Sequence, residues 1–258
     1  MEEMLYHYTK LETFLIHILP QKELLFSRMG TSRDPNEYKS LSRYSYTTDE
    51  NETTKFNDFR EALEKYKFNS KFLCFSMENH KGNQNPRHEF DRLRMWDQYG
   101  DGNNGICLGF SKDKLISTFT SMKSKYSRQE YEFFNDPINY LNFAKEWHAI
   151  NAYEVVKDYA PPPYIEKYLS DKRKRDFLFF SKDENYGDEN EFRLLILTQK
   201  DNCTIKISIT ESLSEIIIGD NLPTSFWETY MPLIKSIFPD VNVFQMKWNY
   251  GIVQRVPY

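Results

Sequence analysis

Several kinds of protein are excluded by what this chain lacks. No apolar run approaches the roughly 18 residues that a membrane-crossing helix needs. No positively charged leader opens it, because Glu2 and Glu3 stand where a secretory signal carries basic residues. Cysteine is scarce: Cys74, Cys107 and Cys203 are odd in number and form no C-x-x-C pair, which points to buried thiols in a reducing compartment. The five histidines, His7, His17, His80, His88 and His148, show no i, i+4 helical pair and no neighbouring cysteine pair, so the pattern predicts no metal site. Excess positive charge is absent too. A net charge of −4 supplies no global field for avid, non-specific nucleic-acid binding. A G-x-S-x-G elbow and a Walker A loop are also missing. These absences together predict a soluble cytoplasmic protein.

Aromatic side chains are plentiful, at 16% of the 258 residues, which suits a well-buried domain and excludes a disordered or fibrous chain. The length predicts a single domain over 1–258, with a helical elaboration at about 112–180. Strands are predicted at Met4 to Thr9, Leu24 to Ser27, Phe72 to Met77, Ile106 to Phe110, Ile150 to Val156, Phe192 to Thr198, Cys203 to Ile209, Ile216 to Ile218 and Val241 to Met246. Helices are predicted at Lys10 to Leu19 with Thr9 as N-cap and Pro20 at its end, at about Asp58 to Tyr66, and at Phe90 to Tyr99. Others follow at Lys112 to Met122, at Gln129 to Trp147 with a break at Pro137, at about Tyr164 to Phe180, and at Pro223 to Phe238. Ser40 to about Asn57 and Asn79 to Pro86 read as loops. The strand at Ile216, the helix after it and the strand at Val241 form a β-α-β crossover. The fold class is therefore α+β, a curved, mostly antiparallel mixed sheet with helices packed outside.

Gly100-Asp101-Gly102-Asn103-Asn104-Gly105 satisfies G-x-G-x-x-G, yet a helix precedes it and a strand follows. A dinucleotide-binding loop needs the reverse order. The segment reads instead as a tight turn with glycines at positive φ. The run Lys172-Arg173-Lys174-Arg175 reads as a solvated helix face, with phosphate contact as its alternative. Trp96 and Tyr99 read as core residues.

Two short stretches carry most of the chemistry. Glu189-Asn190-Glu191-Phe192-Arg193 leads into Leu194-Leu195-Ile196-Leu197. On a strand, residues two apart share a face, so Glu189, Glu191 and Arg193 would project together while Phe192 and Leu194 point away. Paired carboxylates beside a guanidinium can stabilise a developing cation or activate a nucleophile. A solvated salt-bridge ladder is the alternative. Near the start, Leu5-Tyr6-His7-Tyr8-Thr9 offers a strand histidine, for which a satisfied core position is the competing role.

Those two stretches, the loop Arg33-Asp34-Pro35-Asn36-Glu37, Met95-Trp96-Asp97-Gln98-Tyr99-Gly100 with Gly105 to Phe110, and Lys182 through Tyr186 to Arg193 occur in an order that resembles the bacterial domain of unknown function 2971 family. The chain departs from that pattern at Arg33 and Asn36, where Asn and an aromatic are usual, and at Tyr186, where Trp is usual. The layout is also similar to that of ADP-ribosyltransferases, in which a His or Arg strand, a Ser-bearing strand and a Glu-x-Glu surround the nicotinamide end of NAD. That resemblance implies NAD as substrate and a macromolecular acceptor, protein or nucleic acid. It implies a toxin or phage-defence effector with an antitoxin or regulatory partner and no membrane. Under it, Glu191 holds the ribose 2′-hydroxyl and stabilises the oxocarbenium charge, while Glu189 orients or deprotonates the acceptor. His7, Tyr8, Thr9, Ser76 and Tyr186 bind the nicotinamide riboside end, and Arg28 or Arg33 pairs with the pyrophosphate. Two other functions share the same cleft: a non-catalytic nucleotide- or nucleic-acid-binding module, and an NAD hydrolase with water as acceptor.

Overall fold

Short alternating and apolar segments become strands, nine of them in one large sheet and four in two separate pairs, in a computed structural model, which describes residues 3–32, 34, 37, 50–78, 89–143, 164–249 and 252–257. In chain order the strands are β1 (Met4–Thr9), β2 (Glu23–Leu25), β3 (Ser27–Arg28), β4 (Lys71–Met77), β5 (Ile106–Ser111), β6 (Glu132–Pro137) and β7 (Asn139–Leu141). They continue with β8 (Ser181–Asp183), β9 (Glu191–Leu197), β10 (Lys206–Ser208), β11 (Leu213–Ile218), β12 (Asn242–Asn249) and β13 (Ile252–Pro257). The main sheet runs β13-β12-β11-β5-β1-β4-β9-β6, with β3 beside β4. Its pairings are antiparallel except that of β11 with β12, which the helix Thr224–Ile237 joins as the expected β-α-β unit. The protein is therefore α+β with a mixed, largely antiparallel sheet.

Both faces of the sheet are covered, and β9 shows why. Phe192, Leu194 and Ile196 point to one face, where Leu5, Phe75, Phe110 and Ile216 meet Phe14 and Ile18, Leu115 and Phe119, and Trp227 and Ile234 from three helical segments. Leu195 and Leu197 point to the other, against Phe59, Leu63, Tyr168 and Phe179. A strand covered on both sides reads as an unbroken apolar run, as Leu194-Leu195-Ile196-Leu197 does. Further along the second face, Tyr6, Tyr8, Cys107 and Ile217 pack with Met95 and Trp96.

Several predicted elements change in the fold. Glu132–Pro137, expected within a helix, is an edge strand in register with β9, where Phe133 faces Ile196. A proline is tolerated at such an edge because no ladder bond needs its missing N–H. The helix Glu50–Asn69 begins inside the predicted polar loop, since burial of Phe56 and Phe59 rewards a helix whose first turns are polar. Thr9 is the last residue of β1 and not an N-cap. Lys10 holds that position without a side-chain hydrogen bond, and a π-helical turn, Phe14–Ile18, precedes Pro20. The helix expected at Tyr164 to Phe180 is two, Tyr164–Ser170 and Lys172–Phe179, because Asp171 caps the second by accepting from the Arg173 N–H. In the glycine-rich turn the positive φ values belong to Asp101, Gly102 and Asn103, not to Gly100 or Gly105. A Cβ on Gly105 would strike the carbonyl oxygens of Thr9 and Gly100, so that glycine serves close approach. Cys107 is buried, whereas Cys74 and Cys203 are only partly so. The predicted loop at Asn79 to Pro86 and strand at Ile150 to Val156 lie outside the described residues.

Candidate functional site

The sheet opens between β1 and β4. Their ladder holds only two pairs, Leu5↔Met77 and Tyr6↔Ser76, although each strand is longer, whereas β1 pairs with β5 along its whole length. Beyond Tyr6 the two strands part, and His7 reaches into the gap, its Nδ1 3.0 Å from the Cys74 carbonyl oxygen. A carbonyl only accepts, so Nδ1 carries the proton and Nε2 is left as an acceptor. Burial pulls the His7 pKa below its ordinary value, offset in part by that carbonyl, so the ring is neutral at pH 7.

Around this split lies a cleft of about 670 Å³. His7, Tyr8, Thr9 and Lys10 line it from the β1 side, Leu73 to Ser76 from β4, and Lys182, Tyr186, Glu189 and Glu191 from the far wall. Strand alternation alone would put His7 and Ser76 on opposite faces. The cleft is nevertheless lined by both, at the place where the β1–β4 pairing stops.

At its floor sits a buried ion cluster. Lys182 Nζ from β8 lies 2.6 Å from Glu191 Oε2, 2.8 Å from Glu189 Oε2 and 3.6 Å from Glu37 Oε1. Arg193 Nε donates to Glu191 Oε1 at 2.7 Å, its Nη2 pairs with Glu37, and its Nη1 donates to the Phe179 carbonyl oxygen at 2.7 Å. Side-chain exposure is only 1% for Arg193, 3% for Glu191 and 7% for Lys182, so the arrangement is a buried network and not a solvated ladder. Burial alone would raise the Glu191 carboxyl, but Arg193 and Lys182 outweigh it and hold the group ionised, below the usual carboxylate range. Glu37 is held down in the same way by Arg193 and Lys182. Burial pulls against the Lys182 ammonium as well, yet Glu191 and Glu37 keep it firmly protonated. A carboxylate has about four lone-pair positions. Among the described residues Arg193 takes one position on Oε1 and Lys182 one on Oε2, which leaves an acceptor position for a further donor.

The predicted site residues divide clearly. His7, Tyr8, Thr9, Ser76, Tyr186, Glu189 and Glu191 all line the cleft. Tyr8 is braced edge-on by Trp96, with ring centres 5.3 Å apart, and Ser76 Oγ is buried with no hydrogen-bond partner among the described residues. Arg28 does not join them, since it pairs with Asp201 and stacks on Phe68. Arg33 lies outside the described residues. Glu189 shares the cluster with Glu191, though not by strand pleat. It ends a 3₁₀ turn, and Asn190 at φ 42° swings the chain so that both carboxylates meet Lys182. The 172–175 run is absent from the cleft lining: Lys172 pairs with Asp136 and Asp176, Lys174 lies over Tyr168 and Arg175 over Phe134. Trp96 is core as expected, whereas Tyr99 is 41% exposed and donates to Glu189 Oε1 at 3.2 Å.

Sequence reasoning gave no role to Lys182 or Glu37. Each stood inside a quoted motif, and the signal was there: a single lysine seven residues before a Glu-x-Glu, and an acid closing the Asp-Pro loop.

The far wall of this cleft falls inside a stretch that matches a family model. Residues 95–194 match the family model described as protein of unknown function (DUF2971). The DUF2971 match covers Tyr99, Lys182, Glu189, Glu191 and Arg193, and it supports the resemblance drawn from the motifs. His7 and Ser76 lie outside it. No curated protein and no solved structure matches the chain. Among the described residues no group of three or more His, Cys, Asp or Glu side chains is placed to hold a metal ion, and no helix is long and apolar enough to cross a membrane.

Proposed function

We propose that the protein cleaves the nicotinamide–ribose bond of NAD in the manner of an ADP-ribosyltransferase. One observation carries this reading: the neighbouring strands β1, β4 and β9 bring His7, Ser76 and Glu191 to one cleft whose volume, about 670 Å³, suits a dinucleotide. Bond cleavage builds positive charge on the ribose, and an ionised carboxylate fixed beside it stabilises the transition state more than the ground state. Glu191 meets that need with its remaining acceptor position turned to the ribose 2′-hydroxyl. His7 Nε2 accepts from a second ribose hydroxyl, and Ser76 Oγ, without a partner among the described residues, finds one in the nicotinamide end. Tyr8 or Tyr186 stacks on the nicotinamide ring. With Arg28 engaged elsewhere, Lys10 on the cleft rim takes the pyrophosphate.

The acceptor is a macromolecule in this reading, and a toxin or defence role with a regulatory partner is proposed with it. One observation favours another reading, and a second bears on the acceptor. Both oxygens of Glu191 already hold cations, as suits a binding module. The basic run lies apart from the cleft lining, so it lends nothing to a nucleic-acid acceptor.

Incubation with NAD labelled in the adenylate half, followed by separation of nicotinamide, free ADP-ribose and labelled polymer, tests the proposal. Glu191→Gln should retain NAD binding while losing at least about a hundredfold in nicotinamide release. Unchanged turnover in the folded variant rejects the assignment. NAD bound but never cleaved by the wild type moves the conclusion to the binding module, and ADP-ribose without labelled polymer moves it to the hydrolase.

A further inference from the structure

We infer that the nucleophile this cleft accepts is an uncharged hydroxyl, and that Lys182 excludes guanidinium and ammonium acceptors. The inference rests on the NAD-cleavage reading above, in which Glu189 stands where the acceptor approaches. A bare carboxylate there would draw a cation, and a guanidinium would grip both of its oxygens. Neither oxygen is bare. Glu189 Oε2 holds Lys182 Nζ at 2.8 Å, and Oε1 accepts from the Tyr99 hydroxyl at 3.2 Å. Lys182 is also held by Glu191 at 2.6 Å, and at 7% exposure it has no solvated position to retreat to without leaving a buried carboxylate unpaired. A second cation hydrogen-bonded to Glu189 would lie within about 6 Å of the Lys182 ammonium, where like charges in a shielded site repel strongly.

A hydroxyl brings no charge and can donate to a lone pair left on Glu189. The C1′–N bond then breaks with its electron pair leaving on nicotinamide, a hydroxyl lone pair forms the C1′–O bond, and the hydroxyl proton passes to Glu189 and on to solvent. Water as nucleophile yields ADP-ribose; an alcohol yields an O-glycoside of ADP-ribose. Lys182 acts through the carboxylates and is a positioning residue that sets specificity.

Two measurements test this. Calorimetric titration of agmatine, a guanidinium probe, needs no NAD and so stands apart from the cleavage reading. The wild type should show no binding that depends on Glu189. Lys182→Gln should gain agmatine affinity by about tenfold or more, while Lys182→Arg, which keeps the charge, should still exclude it. A merely structural lysine would produce no such gain. The second measurement adds methanol to the NAD reaction, where product should divert from ADP-ribose to the methyl glycoside while added agmatine yields no adduct. Agmatine binding to the wild type that disappears in Glu189→Gln overturns the inference, as does a folded Lys182→Gln protein with no gain or an agmatine adduct from the wild type. Should Lys182→Gln fail to fold, the wild-type and Lys182→Arg titrations decide alone, since binding by either overturns the inference and exclusion by both supports it. If the wild type does not cleave NAD, the cleavage reading fails whatever agmatine does.

Discussion

Replacing Lys182 with methionine keeps an unbranched apolar stem of nearly the same reach and removes an ammonium that three carboxylates share. The distances set the scale. At 2.6 Å from Glu191 and 2.8 Å from Glu189, each attraction amounts to about 6 kcal/mol at an effective dielectric near 20, before the lysine's desolvation and its repulsion from Arg193 are set against it. Those opposing effects are large, and removing one partner of a buried pair typically costs about 3–5 kcal/mol. Lys182→Met should therefore destabilise by about that amount at pH 7, read as a lower urea midpoint at an unchanged slope. The sign of the pH dependence is a second handle. Glu191 and Glu37 titrate below the ordinary value of 4.5 in the folded state, so their contribution is complete above that value and fades as pH falls through their lower folded ones. Without Lys182 the carboxylates lose a cation, their folded pKa values rise, and protonation relieves the repulsion. The gap between wild type and variant should thus narrow as pH drops below about 5. A loss under about 1 kcal/mol at pH 7, the size of an exposed pair, would refute the argument, and so would a gap that stays constant with pH.

Ser76→Ala should leave stability unchanged or raise it by about 1 kcal/mol, because it deletes a buried hydroxyl that has no partner among the described residues, while NAD affinity weakens; a large loss of stability by urea unfolding would mean the hydroxyl is already satisfied. Gly105→Ala should cost about 1–3 kcal/mol or more, since the new methyl meets the backbone carbonyls of Thr9 and Gly100 and not a side chain that can turn aside; an unchanged Tm would contradict the close approach. The His7 ring titrates below its ordinary 6.5, so the folded state prefers it neutral and its contribution, complete above that pH, fades on acidification through the lower folded value. Between about pH 7.5 and pH 5 the wild type should accordingly lose more stability than His7→Gln does, and equal losses would show that the ring is not held neutral.

Local pattern was enough wherever one physical preference dominated a segment. The alternation in Leu5 to Thr9, the apolar run after Glu191 and the strand-helix-strand sequence ending at Met246 each imposed its own element, because burial leaves such segments little choice of face or period. The sequence also set the order of His7, Ser76 and the Glu-x-Glu along the chain, and the reversed context of the glycine-rich turn. What lay beyond it were the contacts between distant segments. Glu132–Pro137 is a strand only because β9 offers an unpaired edge, and Lys182 and Glu37 matter only because β8 and Glu37 meet the residues of β9. The same tertiary arrangement parts β1 from β4 after two pairs and buries the Glu-x-Glu carboxylates, turning what reads locally as a salt-bridge ladder into an ionised cluster at the floor of a cleft. Hydrogen-bonding and charge partners that lie about 150 residues apart, as Glu37 and Arg193 do, leave no periodic trace in the chain, since their pairing is an outcome of packing and not of local preference.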